Sequence, residues 1–365
     1  MRVLLIGEPS NLHWTLAEGL RENGHQVITV SDGNTWKKCN ADILIIKEGS
    51  SIYYRIKHLC RHLQVFFTLT GYDVVQINNP SFIPFRAGIV NLFYQWLKLM
   101  NKKVFLGAFG DDYYWVKKCL EKDGFRYSNF YIYGREWKCE KNDRVISEWI
   151  DGSYKNLNIK IAKQCNGIVA CLYEYYEAYR TDFESKTSFI PLPVNLSQIE
   201  PKTKRFDGVI RFFIGIDKAR AEWKGSDVML RALRRIELDY PNDCIINVAE
   251  SIPYYEYVDM LRNSDVLLDQ LYSFTPAMNS LIAMAQGLIV VGGGEEENYE
   301  ILNEKTLRPI INVLPFEDDV YSKLEWIIKN KNEVPRLSKE SIDYVMKYHN
   351  YINVAKEYVE FWSIH

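Results

Sequence analysis

The feature that most constrains this chain is a rhythm. Short apolar runs of strand length alternate with helical stretches, and the alternation runs twice along the sequence. Residues 3–6 form an apolar run ended by Gly7, the pattern of a strand buried on both faces. Asn11 stands where a helix N-cap belongs, Leu12, Leu16 and Leu20 recur every four residues, and Gly24 sits at the C-terminal cap. Apolar runs at 27–30, 43–46, 73–77 and 104–106 continue the series, with a long helical stretch near 86–101. Asp111 or Asp112 opens another helix, and runs at 167–170 and 188–190 close this half. Strands separated by helices pair in parallel and carry helices on both faces.

Pro191-Leu192-Pro193-Val194-Asn195 breaks the pattern, because each proline removes a donor and restricts the residue before it. Residues 191–207 read as a linker. The rhythm restarts with a strand at 210–214 and a helix at 225–238, then strands at 245–248, 266–268 and 288–291 between helices at 253–262 and 278–286. The tail from about 337 to 363 is helical, with a break near His349-Asn350. The expectation is an α/β protein of two Rossmann-like, doubly wound parallel-sheet domains, 1–190 and 208–349. A length of 365 residues accommodates two such domains.

Composition excludes several functions. Lys plus Arg number 45 against 47 Asp plus Glu, so the basic excess of a nucleic-acid-coating protein is missing and no nucleic-acid partner is expected. No apolar run approaches membrane-spanning length, and the N-terminal run is too short for a signal peptide. Seven cysteines without a CxxC pair, Cys39 among them, point to free thiols in a reducing, cytoplasmic compartment. His58, Cys60 and His62 lie close together, but without a distant partner they read as a surface patch rather than a metal site. The first strand ends in Gly7-Glu8-Pro9-Ser10-Asn11, which lacks the GxGxxG of dinucleotide sites, and no P-loop pattern occurs.

Open α/β sheets bind ligands outside the carboxyl ends of their strands. That rule selects the loops after Ile6, Leu106, Ile214, Leu268 and Val291. Lys218, Arg220 and Lys224 cluster after Ile214, and Gly225-Ser226-Asp227 opens a helix. Cations beside a helix N-terminus attract anionic oxygen, because free N–H groups and the helix dipole add to the charge. Ser273, Thr275, Pro276, Met278 and Asn279 precede or begin the next helix, with Pro276 suited to a first turn. Gly292-Gly293-Gly294 leads into Glu295, Glu296, Glu297 and Glu300, where glycines permit close approach and carboxylates accept from sugar hydroxyls.

The order of these parts resembles the GT-B glycosyltransferases, and within them the large retaining family four. Phe213-Ile214-Gly215 followed by Lys224-Gly225 resembles that family's donor-diphosphate loop. Leu281-Ile282-Ala283-Met284-Ala285-Gln286-Gly287 resembles its LEAMAxG segment, and 16–33 its first helix and second strand. The resemblance implies two domains facing a cleft, with residues 350–365 crossing back to the first. It implies transfer of a sugar from a nucleotide diphosphate sugar to an acceptor hydroxyl with retention, without a metal or other cofactor. Lys224 and Arg220 would stabilise the departing diphosphate, with Gly215, Lys218, Gly225 and the 273–279 loop around it. Gly7, His13, Asp111 and Asp112 would face the cleft, and Asp111 or Asp112 would orient the donor sugar or the acceptor. The family's paired glutamates fall here on Phe274 and Ile282, and its usual arginine on Ile216. Glu295, Glu296, Glu297 or Glu300 would then take over part of that work.

Bacterial polysaccharide or glycoconjugate assembly is the setting the resemblance implies, with a glycan or lipid-linked glycan as acceptor. Residues 53–63 and 86–103 combine basic and aromatic groups. Ile89, Phe93, Trp96 and Met100 share a helix face, which reads first as an apolar stripe packed on the sheet and alternatively as peripheral contact with the inner face of a membrane. The alternatives are an isomerase of the sugar-nucleotide 2-epimerase type and a non-catalytic nucleotide-sugar binder. Aromatics make up 14% of the chain. Many lie in two places, an acceptor face (Tyr53, Tyr54, Phe93, Tyr94, Trp96) and cleft loops (Tyr113, Tyr114, Tyr272, Phe274, Tyr299), where rings would stack on sugars, with core packing the default for most of the rest.

Overall fold

A computed structural model describes residues 1–33, 40–200, 202 and 206–365. Cys39 and four residues of the 191–207 segment lie outside them. The strands in chain order are β1 (Arg2–Ile6), β2 (Gln26–Ser31), β3 (Ile43–Leu44), β4 (Val74–Ile77), β5 (Lys103–Ala108), β6 (Tyr131–Ile132) and β7 (Arg135–Glu136). They continue with β8 (Ile168–Ala170), β9 (Thr187–Phe189), β10 (Ile210–Ile216), β11 (Cys244–Glu250), β12 (Val266–Leu268), β13 (Ile289–Gly292) and β14 (Ile311–Asn312). The chain divides into two compact units. The first comprises Met1–Lys117, Val145–Pro193 and Tyr351–His365; the second comprises Lys118–Arg144 and Val194–Asn350.

The first unit is built on a seven-stranded sheet of order β3-β2-β1-β4-β5-β8-β9. All its pairings are parallel, and in the middle Val3 stands between Val27 and Val74. Strand β1 is buried on both faces from Val3 to Ile6, as its unbroken apolar run requires. On one face helix Leu12–Glu22 packs with helix Tyr351–Ile364, and their apolar stripes share a core with Val3, Leu5 and Phe105. Gly19 makes that packing possible: a Cβ there would lie 2.3 Å from the Tyr351 carbonyl oxygen. Trp362 Nε1 donates to Gln76 Oε1 at 3.1 Å beneath the sheet.

The second unit carries a parallel sheet of order β11-β10-β12-β13-β14. Ile210, Phe212, Ile214 and Ile216 alternate into a core shared with helices Ser226–Asp239 and Glu317–Lys329, while Phe213 is buried on the opposite face. The antiparallel hairpin β6–β7 also belongs to this unit.

The unit boundaries differ from those read from the rhythm. Residues 118–144 fall in the second unit rather than with 1–190, because their aromatic side chains find partners there. Tyr127 stacks on Phe274 with ring centroids 4.7 Å apart, Phe130 meets Trp223 edge-on, and Trp137 contacts Tyr272. The 191–207 stretch is also not a plain tether. Val194 and Lys202 are held in the second unit, Val194 N donating to His349 O at 2.6 Å and Lys202 pairing with Asp265 at 3.2 Å.

Candidate active site

In the first unit the carboxyl ends of β1, β4 and β5 converge. Gly7 leaves β1 with φ 83°, and a Cβ there would collide with the Asn78 side chain that follows β4. Ser10 and Asn11 then take left-handed φ values of 56° and 70°, a region uncommon for residues other than glycine, though asparagine enters it more readily than most. Asn11 makes no capping bond. Glu8 does that work, accepting from His13 N at 3.3 Å and Trp14 N at 2.8 Å. Burial pushes the Glu8 carboxyl up to about 7, against the pull of those backbone N–H groups.

His13 is buried. Its Nδ1 lies 2.6 Å from the Gly7 carbonyl and its ring sits edge-on to Phe109. Its Nε2 has no partner among the described residues, nor does Asn78 Oδ1. Burial holds the imidazole down at about 4, so it is neutral at pH 7. Asn79 Nδ2 donates to the Asp111 carbonyl at 3.0 Å and so joins the loops after β4 and β5.

Asp112, expected to face the ligand, is fully buried instead. It accepts from Trp115 N at 2.9 Å as the cap of helix Tyr113–Leu120, and from the Tyr179 hydroxyl at 2.7 Å. Asn158 completes this network by donating to the same hydroxyl. Desolvation raises the Asp112 pKa to about 7. Asp111 stays half-buried in the loop, leaving it the aspartate of the pair that reaches the edge.

In the second unit three loops meet at the carboxyl edge. Strand β10 ends at Ile216, and Lys218, Arg220 and Lys224 follow on two short helical turns. Gly215 lets Tyr257 pack flush against β10, since a Cβ there would lie 2.6 Å from its ring. Gly225 has φ 70° and ends one turn while starting helix Ser226–Asp239, whose N-terminus no side chain caps. A Cβ at Gly225 would lie 2.6 Å from Leu271, and Leu271 N donates to Lys224 O at 2.9 Å. The basic corner therefore rests on the loop after β12. Lys218 pairs with Glu250 at 3.3 Å. Arg220 is exposed and Lys224 half-buried, and neither has an ion-pair partner among the described residues.

The second loop holds Ser273, Thr275 and Pro276 buried, with Ser273 Oγ donating to Thr275 O at 2.8 Å. Helix Met278–Ala285 begins there, also without a side-chain cap. Asn279 is half-exposed and its Oδ1 accepts from the Tyr257 hydroxyl at 2.9 Å, whereas Met278 turns into the core. The third loop lies against the second: Gly293 leaves no room beside the Ser273 carbonyl, and Glu295 N donates to Phe274 O at 3.1 Å.

The four glutamates of the third loop have different fates. Glu295 accepts from Arg126 Nη2 at 2.9 Å and from the Tyr127 hydroxyl at 2.7 Å. Glu297 is clasped by both terminal nitrogens of Arg126, and Glu296 pairs with Arg308. Burial alone would raise the Glu297 pKa; the hydrogen bond and charge of Arg126 outweigh it and hold the carboxyl below its usual value. Glu300 alone of the four is exposed with a carboxylate that has no hydrogen-bond or ion-pair partner among the described residues. Glu295 and Glu297 are thus each engaged by Arg126.

Sequence reasoning missed Glu8, Asn78, Asn79, Arg126 and Tyr127. The carboxyl-end rule reaches Asn78 and Asn79 once it is applied to the loop after β4 as well. Arg126 and Tyr127 stand in an aperiodic stretch that gives no comparable signal. Of the aromatics named above, Phe93, Tyr94, Tyr114, Tyr272, Phe274 and Tyr299 are buried packing residues, the default for such rings, while Tyr53 and Tyr54 are exposed. His58 and His62 are not a surface patch either. They are buried with rings 4.4 Å apart, beside Phe85. Among the described residues no group of three His, Cys, Asp or Glu side chains is arranged to hold a metal ion.

No family model matches the sequence, and no curated protein does. Solved structures do match over the whole chain. Sucrose-phosphate synthase from Thermosynechococcus elongatus aligns at TM-score 0.59 and 14% identity, covering 100% of this chain and 98% of that one. Anabaena Alr3699/HepE in complex with UDP and glucose aligns at TM-score 0.60 and 10% identity, covering both chains fully. The chain has the GT-B fold. A proposed UDP-N-acetylglucosamine 2-epimerase from Listeria monocytogenes shares it too, at TM-score 0.54 and 10% identity over 98% of this chain and 94% of that one. At such identities the likeness speaks for the fold alone. Within the GT-B fold the two edges described above are the carboxyl edges of its two parallel sheets, the side on which open α/β sheets bind ligands.

Proposed function

We propose that this protein is a retaining glycosyltransferase that moves a sugar from a nucleotide diphosphate sugar to an acceptor hydroxyl. Its setting would be the assembly of a bacterial polysaccharide or glycoconjugate on the cytoplasmic side. The observation that carries the reading is the basic corner: Lys224 and Arg220, without ion-pair partners among the described residues, stand beside the uncapped N-terminus of helix Ser226–Asp239. HepE, solved with UDP and with UDP-glucose, shows a ligand of the right class on the same fold.

The chemistry follows from where charge develops. The bond between the anomeric carbon and the diphosphate oxygen breaks, and the diphosphate leaves with the electron pair. The acceptor oxygen bonds to the same face, and its proton passes to the departing phosphate oxygen. Lys224, Arg220 and the N–H groups at Ser226 and Met278 stabilise the growing negative charge, an electrostatic role of the oxyanion-hole type. No strong enzymic base is needed, because the departing phosphate oxygen takes the acceptor's proton. Asp111 orients a sugar hydroxyl.

A thermal-shift screen of nucleotide sugars, followed by hydrolysis of each hit, tests the reading. Lys224→Ala is expected to lower kcat by ~10²–10³, the cost of one preorganised stabilising group, and Lys224→Glu to lower it further. A folded Lys224→Ala protein with full turnover would reject the assignment. The Listeria likeness supports a second reading, epimerisation of the donor sugar. Conversion of a nucleotide sugar to its 2-epimer with no acceptor present would establish it. Tight nucleotide binding with neither hydrolysis nor transfer would identify a binding protein instead.

A further inference from the structure

We propose that the outer face of helices Ile52–Thr68 and Ala87–Met100 docks on an anionic lipid surface. The two helices leave an apolar groove of about 320 Å³ between them, lined by Leu59, Leu63 and Phe67 from one and Ile89, Leu92 and Trp96 from the other. Trp96 ties the pair together, donating from Nε1 to Phe66 O at 2.9 Å and meeting Phe67 edge-on at 5.0 Å. Apolar side chains extend outward along both helices: Ile52 is 74% exposed, Phe67 59%, Leu92 68% and Leu99 78%. Leu92 and Leu99 lie two helical turns apart, so they project from one stripe. Side chains of this size left in water across two adjacent helices mark a contact surface.

The charge pattern selects the occupant. The two helices carry Arg55, Lys57, Arg61 and Lys98 and no acidic residue, with Arg86 at the head of the second. Glu48 engages Lys57 and Asp73 engages Lys102. Arg55, Arg86 and Lys98 are exposed and have no ion-pair partner among the described residues. Cations around an apolar stripe complement phosphate headgroups over acyl chains. A two-fold contact with a second copy would instead set cation against cation. No helix among the described residues is long and apolar enough to cross a membrane, so the contact is one of surface docking. The inference goes beyond the proposed reaction and is tested without reference to it.

The test is flotation of the full chain with vesicles of phosphatidylglycerol and phosphatidylcholine, and with phosphatidylcholine alone. Binding is expected to the anionic vesicles at low salt and to fall in high salt. Leu92→Glu with Leu99→Glu should weaken it at least about tenfold. Arg55→Ala and Lys98→Ala should each weaken it about fivefold. All these variants should melt as the parent does, because the side chains are exposed, and should keep any nucleotide-sugar hydrolysis the parent shows. Failure to float with anionic vesicles at low salt would overturn the proposal. So would equal binding to neutral vesicles, or self-association that the leucine variants abolish.

Discussion

Glu8 accepts two backbone N–H groups at the head of helix Leu12–Glu22, yet burial lifts its pKa from an ordinary 4.5 to about 7. The folded state therefore holds a proton that the unfolded chain releases at lower pH. For a carboxyl raised in this way, its contribution to stability is fully present below about pH 4.5 and is lost as pH rises through about 7. Glu8→Gln keeps an acceptor for the helix and removes the titration. The variant should match the parent near pH 4.5 and exceed it by on the order of 3 kcal/mol well above pH 7. Urea melts at both pH values measure this. A constant difference across the range would show that folding does not shift the Glu8 pKa. Asp112 shifts in the same direction and His13 in the opposite one, but both are common to the two proteins and cancel. At this scale the sequence showed that a helix starts after Gly7 but named the wrong cap. Asn11 has the expected residue type; its left-handed φ turns it away, and a carboxylate three residues earlier serves instead. Local propensity sees the cap position and not the loop conformation that decides which side chain reaches it.

The element that most shapes the second unit's edge is the 118–144 segment. Arg126 lies over the Phe274 ring with its carbon 4.8 Å from the centroid and bonds both Glu295 and Glu297. Arg126→Met keeps much of the stem and removes these charge-assisted bonds, and is expected to cost about 1.5–3 kcal/mol at pH 7. The sign with pH follows from Glu297. Its pKa is lowered in the folded state, so the stability it contributes is present above the ordinary carboxyl range and is lost as pH falls through it. The penalty of Arg126→Met should therefore shrink when denaturant melts are repeated in acid; an undiminished penalty would assign the loss to packing on Phe274 instead. The alternating strands and helices were legible because burial on both faces of a parallel sheet writes long apolar runs. The β6–β7 hairpin was not. Its strands have two residues each, and its turn uses Tyr133-Gly134, both with positive φ, in place of the Asn-Gly or Asp-Gly that signals such a turn. Phe274 reads as a lost carboxylate in sequence; in the structure it is the floor on which this segment is laid.

For the whole molecule, the chain's two compact units are not its two halves. Residues 118–144 leave the N-terminal half for the second unit, and residues 351–365 leave the C-terminal half for the first. Apolar periodicity reports that an element buries a face, not which core receives it, so it could place both segments in sequence without assigning either by its own signal. The consequence is a prediction about cutting. Helix Tyr351–Ile364 contributes Val354, Ala355, Tyr358, Phe361 and Trp362 to the same cluster as Val3, Leu16, Leu20 and Phe105. At about 1.5–3 kcal/mol for each large apolar side chain buried, this helix supplies an amount comparable to the ~5–15 kcal/mol by which a domain is stable. A fragment of residues 1–193 also carries 118–144 without the second unit that buries Tyr127 and Phe130. It is expected to show no cooperative thermal transition. A peptide of residues 351–365 added in trans should recover part of one, because it restores the apolar stripe and the Trp362 hydrogen bond to Gln76. If residues 1–193 alone melt as sharply as the full chain, the returning helix is an accessory, and the first unit's core closes without it.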